Sequence, residues 1–154
     1  MPTIIYPPGS GGGGGGGTAT AVILALTAGE AIAVGDVVRL QLTAEGTAGR
    51  AVKAQANSST GANVVGVATT TAAANGDAVS VQVGGLPAVQ FGSNIVATSN
   101  GVPVYLDPAT SGRGTITAPS GSGQVVVHLG YLVGATGATP TPTVLWTLER
   151  VTNL

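Results

Sequence analysis

The sequence predicts an all-β protein: a short-stranded β-barrel or β-sandwich built from two tandem repeats, preceded by an extended glycine-rich N-terminal arm. Three observations predict this fold class. Aliphatic and polar residues alternate with period two, as on a strand. Turn glycines recur every 8 to 15 residues, which is too often for long helices. The same order of strand-like and turn-like segments also occurs twice along the chain.

The repeat consists of four pairs of matching segments, with 64 to 66 residues between the members of each pair. The pairs are 35–40 with 101–106, 51–54 with 115–118, 64–67 with 128–131, and 79–81 with 144–146. Such even spacing predicts a duplicated β unit. We therefore divide the chain into an arm at 1–17, a first unit at 18–92 and a second unit at 93–154, and we expect the two units to share one core.

The first unit contains β-branched and aliphatic runs that end in glycine, asparagine or aspartate. These runs predict strands at 18–26, 37–42, 50–54, 64–69, 79–83 and 88–91. Along 37–42 we expect the odd-numbered side chains on a solvent face and the even-numbered ones on a buried face. Asp36 and Asp77 each follow a glycine, a position typical of turns in which the carboxylate accepts nearby backbone hydrogen bonds.

The second unit predicts strands at 101–106, 115–118, 125–133 and 144–148. Pro103 lacks a backbone N–H, so its segment is expected to be an edge strand or to begin there. The segment 125–133 is more continuously apolar than its counterpart in the first unit, which predicts deeper burial. In total the sequence predicts ten or more short strands and no long helix.

The N-terminal arm has an apolar tip followed by a glycine run at 11–17. Consecutive glycines lose much backbone entropy when they become ordered, so the run is expected to act as a tether. The tip can bind in a groove or add to the sheet edge of a neighbouring subunit. A tail without a partner is the equally weighted alternative. The candidate contact residues are Pro2, Thr3, Ile4, Ile5, Tyr6, Pro7 and Pro8.

Charge is scarce, since Asp, Glu, Lys and Arg make up 7% of the chain and the net charge is −1, against about 25% charged residues in ordinary domains. A weakly charged surface favours association between copies. The five basic residues are scattered, which argues against nucleic-acid binding. No apolar run approaches the ~20 residues of a spanning helix, and no signal peptide precedes Pro7, so we expect neither membrane insertion nor secretion.

No arrangement of residues indicates catalysis or a bound cofactor. The chain has no cysteine, which excludes disulfides and thiolate chemistry. His128 is the only histidine, and its strand context favours a solvent or subunit face over a general base. The acidic residues fall mostly in turns and form no calcium-loop motif. The sequence therefore predicts a non-enzyme with no catalytic, cofactor-binding or metal-binding residues.

Three aromatic residues of the second unit are candidates for contact: Tyr105, Tyr131 and Trp146. Most such residues pack in a core or at a subunit interface. The less favoured alternative is that Tyr131 and Trp146 together form a sugar-binding platform.

The segments 35–38, 65–68, 74–81, 101–106 and 127–131 resemble virion proteins of tailed bacteriophages. The shared pattern covers roughly residues 28 to 150. It reads Gly-Asp-x-Val-x-Leu, then Gly-x-x-x-x-Ala, then Val-Val-Gly-Val-Ala, then Gly-Asp-x-Val-x-Val. It is similar to small β-rich capsid decoration, or cement, proteins and to related head-fibre and tail-fibre modules.

This resemblance implies a structural protein that is made in the host cytoplasm and binds to the exterior of the assembled capsid. Its partners would be the major capsid protein and further copies of itself, commonly as a homotrimer. The alternative within the same resemblance is a head-fibre or tail-fibre component that binds a host receptor or glycan.

Overall fold

The computed structural model describes residues 20–153, so the predicted arm at 1–17 lies outside the described residues. Between residues 20 and 153 the chain forms nine strands in two antiparallel sheets, with two single-turn 3₁₀ helices at Thr43–Glu45 and Ala97–Ser99. The all-β prediction is confirmed, and the sheets do not close into a barrel. No helix in this range is long and apolar enough to cross a membrane.

The first sheet has five strands from the first predicted unit. They are β1 Ile23–Thr27, β2 Val37–Leu40, β3 Ala51–Lys53, β4 Val64–Ala68 and β5 Ala78–Gln82, in the spatial order β1-β5-β4-β2-β3. Each lies within or overlaps a predicted strand. Short β-branched runs between turns account for this agreement, because they suit a pleated, buried surface.

The second sheet has four strands from the second predicted unit. They are β6 Pro103–Leu106, β7 Gly114–Thr115, β8 Val125–Leu132 and β9 Val144–Asn153, in the order β7-β6-β8-β9. β6 begins at Pro103, as predicted. β9 continues five residues beyond the predicted end at 148, where it pairs with the first half of β8.

The prediction of ten or more strands is wrong for the part of the chain described, which contains nine. The difference lies at 88–91, where Ala88 and Phe91 form only isolated bridges, to Thr143 and Gly114 respectively. This segment runs between the two sheets and joins them by single backbone contacts rather than by a continuous ladder.

The two sheets share the same pairing in detail. The order β3-β2-β4-β5 in the first sheet corresponds to β7-β6-β8-β9 in the second. The pairing of β2 with β4 contains a one-residue bulge, and so does the pairing of β6 with β8. Gly35 precedes β2 with φ of +88°, and Gly101 precedes β6 with φ of +86°. Their N–H groups donate to Ala68 O and Leu132 O at 2.8 and 2.7 Å. This correspondence supports the predicted duplication, which itself stays a prediction.

The two sheets pack together through a larger core that contains residues of both predicted units. Its members are Val37, Ala54, Ala56, Ala62, Val67, Val89, Phe91, Ile95, Val104, Leu106, Val125, Val127, Leu129, Leu132, Ala135 and Val144. A smaller core covers the other face of the first sheet. Its members are Ala28, Ile32, Val38, Ala51, Ala68, Ala72, Val79 and Val81.

The predicted faces of β2 are wrong. Val37 and Val38 are both fully buried, the former in the larger core and the latter in the smaller one. Leu40 and Leu42, expected on the buried face, are 38% and 45% exposed. The first sheet is covered on both faces near residue 37, and the chain leaves both cores by residue 40. Buried and exposed side chains therefore do not alternate along residues 37–42, either at the start of the segment or at its end.

Two glycines permit the close approach of paired strands. Gly66 lies on β4 beside β5, and Gly130 lies on β8 beside β9. A Cβ on Gly66 would lie 2.3 Å from Gln82 O, and one on Gly130 would lie 1.8 Å from Leu145 O. Gly130 also has φ of +152°, which side-chain-bearing residues rarely adopt. The carbonyls belong to the paired strand, so they cannot move without breaking the ladder.

We expect Gly130→Ala to destabilise the protein by about 3 kcal/mol, the sum of left-handed backbone strain and a backbone clash. Chemical denaturation followed by intrinsic fluorescence measures this change. Gly92→Ala is the matched control, because Gly92 is exposed and no atom lies within 4 Å of the position that its new methyl group would take. A Gly130→Ala protein as stable as the Gly92→Ala protein would contradict the expected clash.

Candidate functional site

The bulge in β8 places two residues three positions apart on one face of the second sheet. Tyr105 pairs with His128, and Pro103 pairs with Tyr131, with the register shifted by one residue between the two pairs. In a regular strand, residues i and i+3 point to opposite faces. The extra residue at the bulge restores His128 and Tyr131 to the same outer face.

The outer face carries a cluster of three rings, which we call the aromatic pocket. The ring centroids of Tyr105 and His128 are 5.7 Å apart, with the planes inclined at 57°. Those of His128 and Tyr131 are 4.8 Å apart in an edge-to-face arrangement at 75°. Both separations lie in the range of favourable aromatic pairs. The rings therefore hold one another in place around the central histidine.

The aromatic pocket is a shallow depression of about 310 Å³. Its lining comprises Pro103, Tyr105, Ala118, Val126, His128, Tyr131 and Glu149. Tyr131 is 44% exposed, whereas His128 is 9% exposed and its Nε2 has no hydrogen-bond partner. A buried ring nitrogen without a partner is uncommon, because burial removes it from water. The pocket thus combines an exposed ring, a buried imidazole and a rim carboxylate.

Glu149 is the candidate site residue that sequence reasoning missed. It lies on β9 directly opposite His128 in the antiparallel register, and it lines the pocket. The predicted strand ended at 148, so nothing in the local pattern placed this carboxylate beside the histidine. To find Glu149, one would have had to predict that β9 extends beyond residue 148 and that its register with β8 shifts.

Trp146 lies away from this site. It pairs with Gly130 and packs against the larger core, on the inner face of the second sheet. Tyr131 lies on the outer face, paired with Leu145. The two rings therefore cannot form one sugar-binding platform, and that alternative is wrong for the pair named. Tyr105 and Tyr131 come together, and Trp146 contributes to the core.

The aromatic pocket combines aromatic faces with a few hydrogen-bonding groups. Its lining contains one carboxylate and one imidazole, but no second carboxylate and no serine, threonine or lysine. Aromatic faces beside a carboxylate and an imidazole suit the apolar face and hydroxyls of a sugar, or a side chain of a protein partner.

No metal site is found within residues 20–153, where no group of three His, Cys, Asp or Glu residues is suitably placed to hold an ion. A second depression, of about 300 Å³, lies beside Phe91 and Asp107. The Asp107 carboxylate already accepts the N–H groups of Ala109 and Thr110 at 2.7 and 3.2 Å. This acid closes a turn and is not paired with another acid in the depression.

Asp36 is the buried charge of the described chain and joins the two predicted units. Its Oδ2 accepts the Ala33 N–H at 2.8 Å, while its Oδ1 has no hydrogen-bond partner and lies 3.7 Å from Arg113 Nη1. Asp77 likewise accepts the Ala74 N–H at 2.9 Å, so both predicted turn roles are confirmed. Burial raises the pKa of Asp36, and the backbone hydrogen bond and Arg113 oppose this rise only in part.

No family model matches this chain, and neither does any curated protein or solved structure.

The pH dependence of stability is expected to reveal the buried carboxyl group. Because the folded-state pKa of Asp36 is raised, the folded protein holds this proton more readily than the unfolded chain does. This contribution to stability is complete below the ordinary value of 3.8 and is lost as the pH rises through the raised pKa.

Asp36→Asn retains an acceptor for the Ala33 N–H but does not titrate. Relative to this variant, we expect the wild type to gain unfolding free energy as the pH falls from 7 towards 4. Parallel urea titrations across this range measure the difference. A difference that stays constant with pH, or that changes in the opposite direction, would contradict the assignment.

Proposed function

We propose that this protein is a virion structural protein of a tailed bacteriophage, which decorates and stabilises the capsid by binding the assembled major capsid protein lattice. The proposed assembly is a homotrimer on the capsid exterior, made in the host cytoplasm, with no enzymatic activity and no cofactor. The resemblance of five segments to virion proteins of tailed bacteriophages suggests this class of protein. The observation that carries the proposal is a surface that combines few charges with many exposed aliphatic side chains.

The exposed aliphatic side chains are spread over the described surface rather than confined to one place. They include Val22, Ile23, Leu24, Val34, Leu40, Leu42, Leu86, Val96, Ile116, Val133 and Leu145. Burying one such side chain fully contributes about 1.5–3 kcal/mol. Several small contacts of this kind, repeated over a lattice, suit a protein that binds an ordered surface in many copies.

The proposed mode of binding is apolar burial with little contribution from charge. Exposed ion pairs weaken as salt screens them, whereas apolar burial does not. With 7% charged residues, this chain has few groups through which salt can act. Its attachment to a capsid is therefore expected to be insensitive to ionic strength.

The first test mixes purified protein with expanded capsids that lack it. We expect saturable co-sedimentation that changes less than threefold between 0.1 and 1 M NaCl, together with a higher capsid melting temperature. Capsids that already carry the protein are the control, because their sites are occupied. Absence of co-sedimentation with the unoccupied capsids at either salt concentration would contradict the proposal.

The second candidate function is a head-fibre or tail-fibre component that binds a host glycan. The aromatic pocket favours it, because an exposed tyrosine beside a rim carboxylate is a chemically reasonable sugar site. In that case, binding to cells or glycans would replace binding to capsids.

A matched pair of variants tests the glycan candidate. Tyr131→Ala removes the exposed ring and is expected to weaken glycan binding at least tenfold on an array of host polysaccharides. Leu145→Ala is the control, because Leu145 is the cross-strand partner of Tyr131, is similarly exposed at 41%, and does not line the pocket. Equal binding by both variants would exclude the pocket as the glycan site.

A further inference from the structure

The outer edge of β1 has no partner within residues 20–153. β1 lies at one end of the first sheet and pairs only with β5. Val83 N–H donates to Val22 O at 2.9 Å, and Ala28 N–H donates to Asp77 O at 2.8 Å. Antiparallel pairing alternates, so the even-numbered residues of β1 face β5. The backbone groups of 23, 25 and 27 therefore face the open edge.

The other end of the first sheet is covered by the chain itself. The backbone groups of Ala51 and Lys53 in β3 point away from β2, and both residues form hydrogen bonds there. Gly29 N–H donates to Ala51 O at 2.7 Å, and Lys53 N–H donates to the Glu30 carboxylate at 2.7 Å. The second sheet is similarly protected at the start of β9, where Val144 and Trp146 donate to the 85–87 segment at 3.0 and 3.1 Å. The open edge of β1 thus differs from these two edges.

The side chains of the open edge do not protect it from pairing with another strand. Exposed edge strands usually carry a charge or a proline that prevents pairing with other chains. β1 has neither, and Ile23 and Leu24 are 49% and 39% exposed. An open cleft of about 560 Å³ lies between residues 25–27 and the loop at 47–50. The cleft borders the open edge, on the side where an added strand would lie about 4.8 Å from β1.

We propose that the segment Thr3 to Tyr6 of a neighbouring copy pairs with the open edge of β1. On the N-terminal side, the chain outside the described residues is 1–19, and it ends three residues before β1. Thr3-Ile4-Ile5-Tyr6 is β-branched and aromatic, uncharged, and bounded by prolines that would end a ladder on both sides. Its four residues can pair along most of β1, which has five residues.

The spacing between the two segments favours a neighbouring copy over the same chain. A β-hairpin needs a connection of only two to five residues, whereas residues 7–22 separate Tyr6 from Ile23. A connection of this length, much of it glycine, spans roughly 50 Å when extended. Repeated from copy to copy, the contact is heterologous and closes as a ring. This inference rests on the self-association proposed above and names the surface through which it occurs.

Two changes test the contact, with oligomer mass measured by light scattering. Deletion of residues 2–8 removes the added segment and leaves the described fold intact. Ala25→Pro removes an N–H that faces the open edge rather than β5, and Ala25→Ser is its matched control. We expect the wild type and Ala25→Ser to be trimers, and the other two proteins to have one third of that mass. A monomeric wild type, or a deletion variant that remains a trimer, overturns the inference.

A disulfide test identifies the donor of the segment, because the chain has no cysteine of its own. Ile5→Cys combined with Leu24→Cys is expected to form disulfides between chains, seen as dimer and trimer bands on non-reducing gels. A disulfide within one chain, or none at all, overturns the inference. Neither result depends on capsids, so the capsid-binding proposal is judged separately by co-sedimentation of the same proteins.

Discussion

The structure depends on the burial of small aliphatic side chains between two sheets. Among residues 20–153, the larger core contains sixteen buried residues, of which Phe91 is the one aromatic residue. Because valine and alanine dominate, the sheets must approach closely to exclude water, and interior packing tolerates few voids. A second close approach occurs within each sheet, where Gly66 and Gly130 lie so near a carbonyl of the paired strand that a Cβ would clash with it.

The two sheets use equivalent pairing but bury opposite faces. Val37 and Val67 form a cross-strand pair that packs into the larger core, whereas the corresponding pair, Pro103 and Tyr131, lies on the outer face. The reverse face forms the small core in the first sheet and the larger core in the second. A face with the same backbone geometry is therefore structural in one sheet and free to carry an aromatic pocket in the other.

Much of the fold could be predicted because its local signals agree. β-branched runs, turn glycines and Pro103 at a strand start located the strands in the described range, although 88–91 formed bridges only. The candidate site was harder to predict. A bulge placed His128 and Tyr131 on one face, and an extended β9 added Glu149. Period-two reasoning fails at a bulge, since one extra residue reverses the side of every residue that follows.

The sequence by itself determined the all-β class, the approximate strand positions, the scarcity of charge and the absence of cysteine chemistry. These properties follow from composition and short-range pattern, which do not depend on how the sheets meet. Only the tertiary structure decided that Val37 is buried, that Leu42 is exposed and that Trp146 and Tyr131 lie on opposite faces. The physical reason is that burial depends on which face of a sheet packs against another layer. The two sheets have the same strand pairing, but their corresponding faces pack against different parts of the chain.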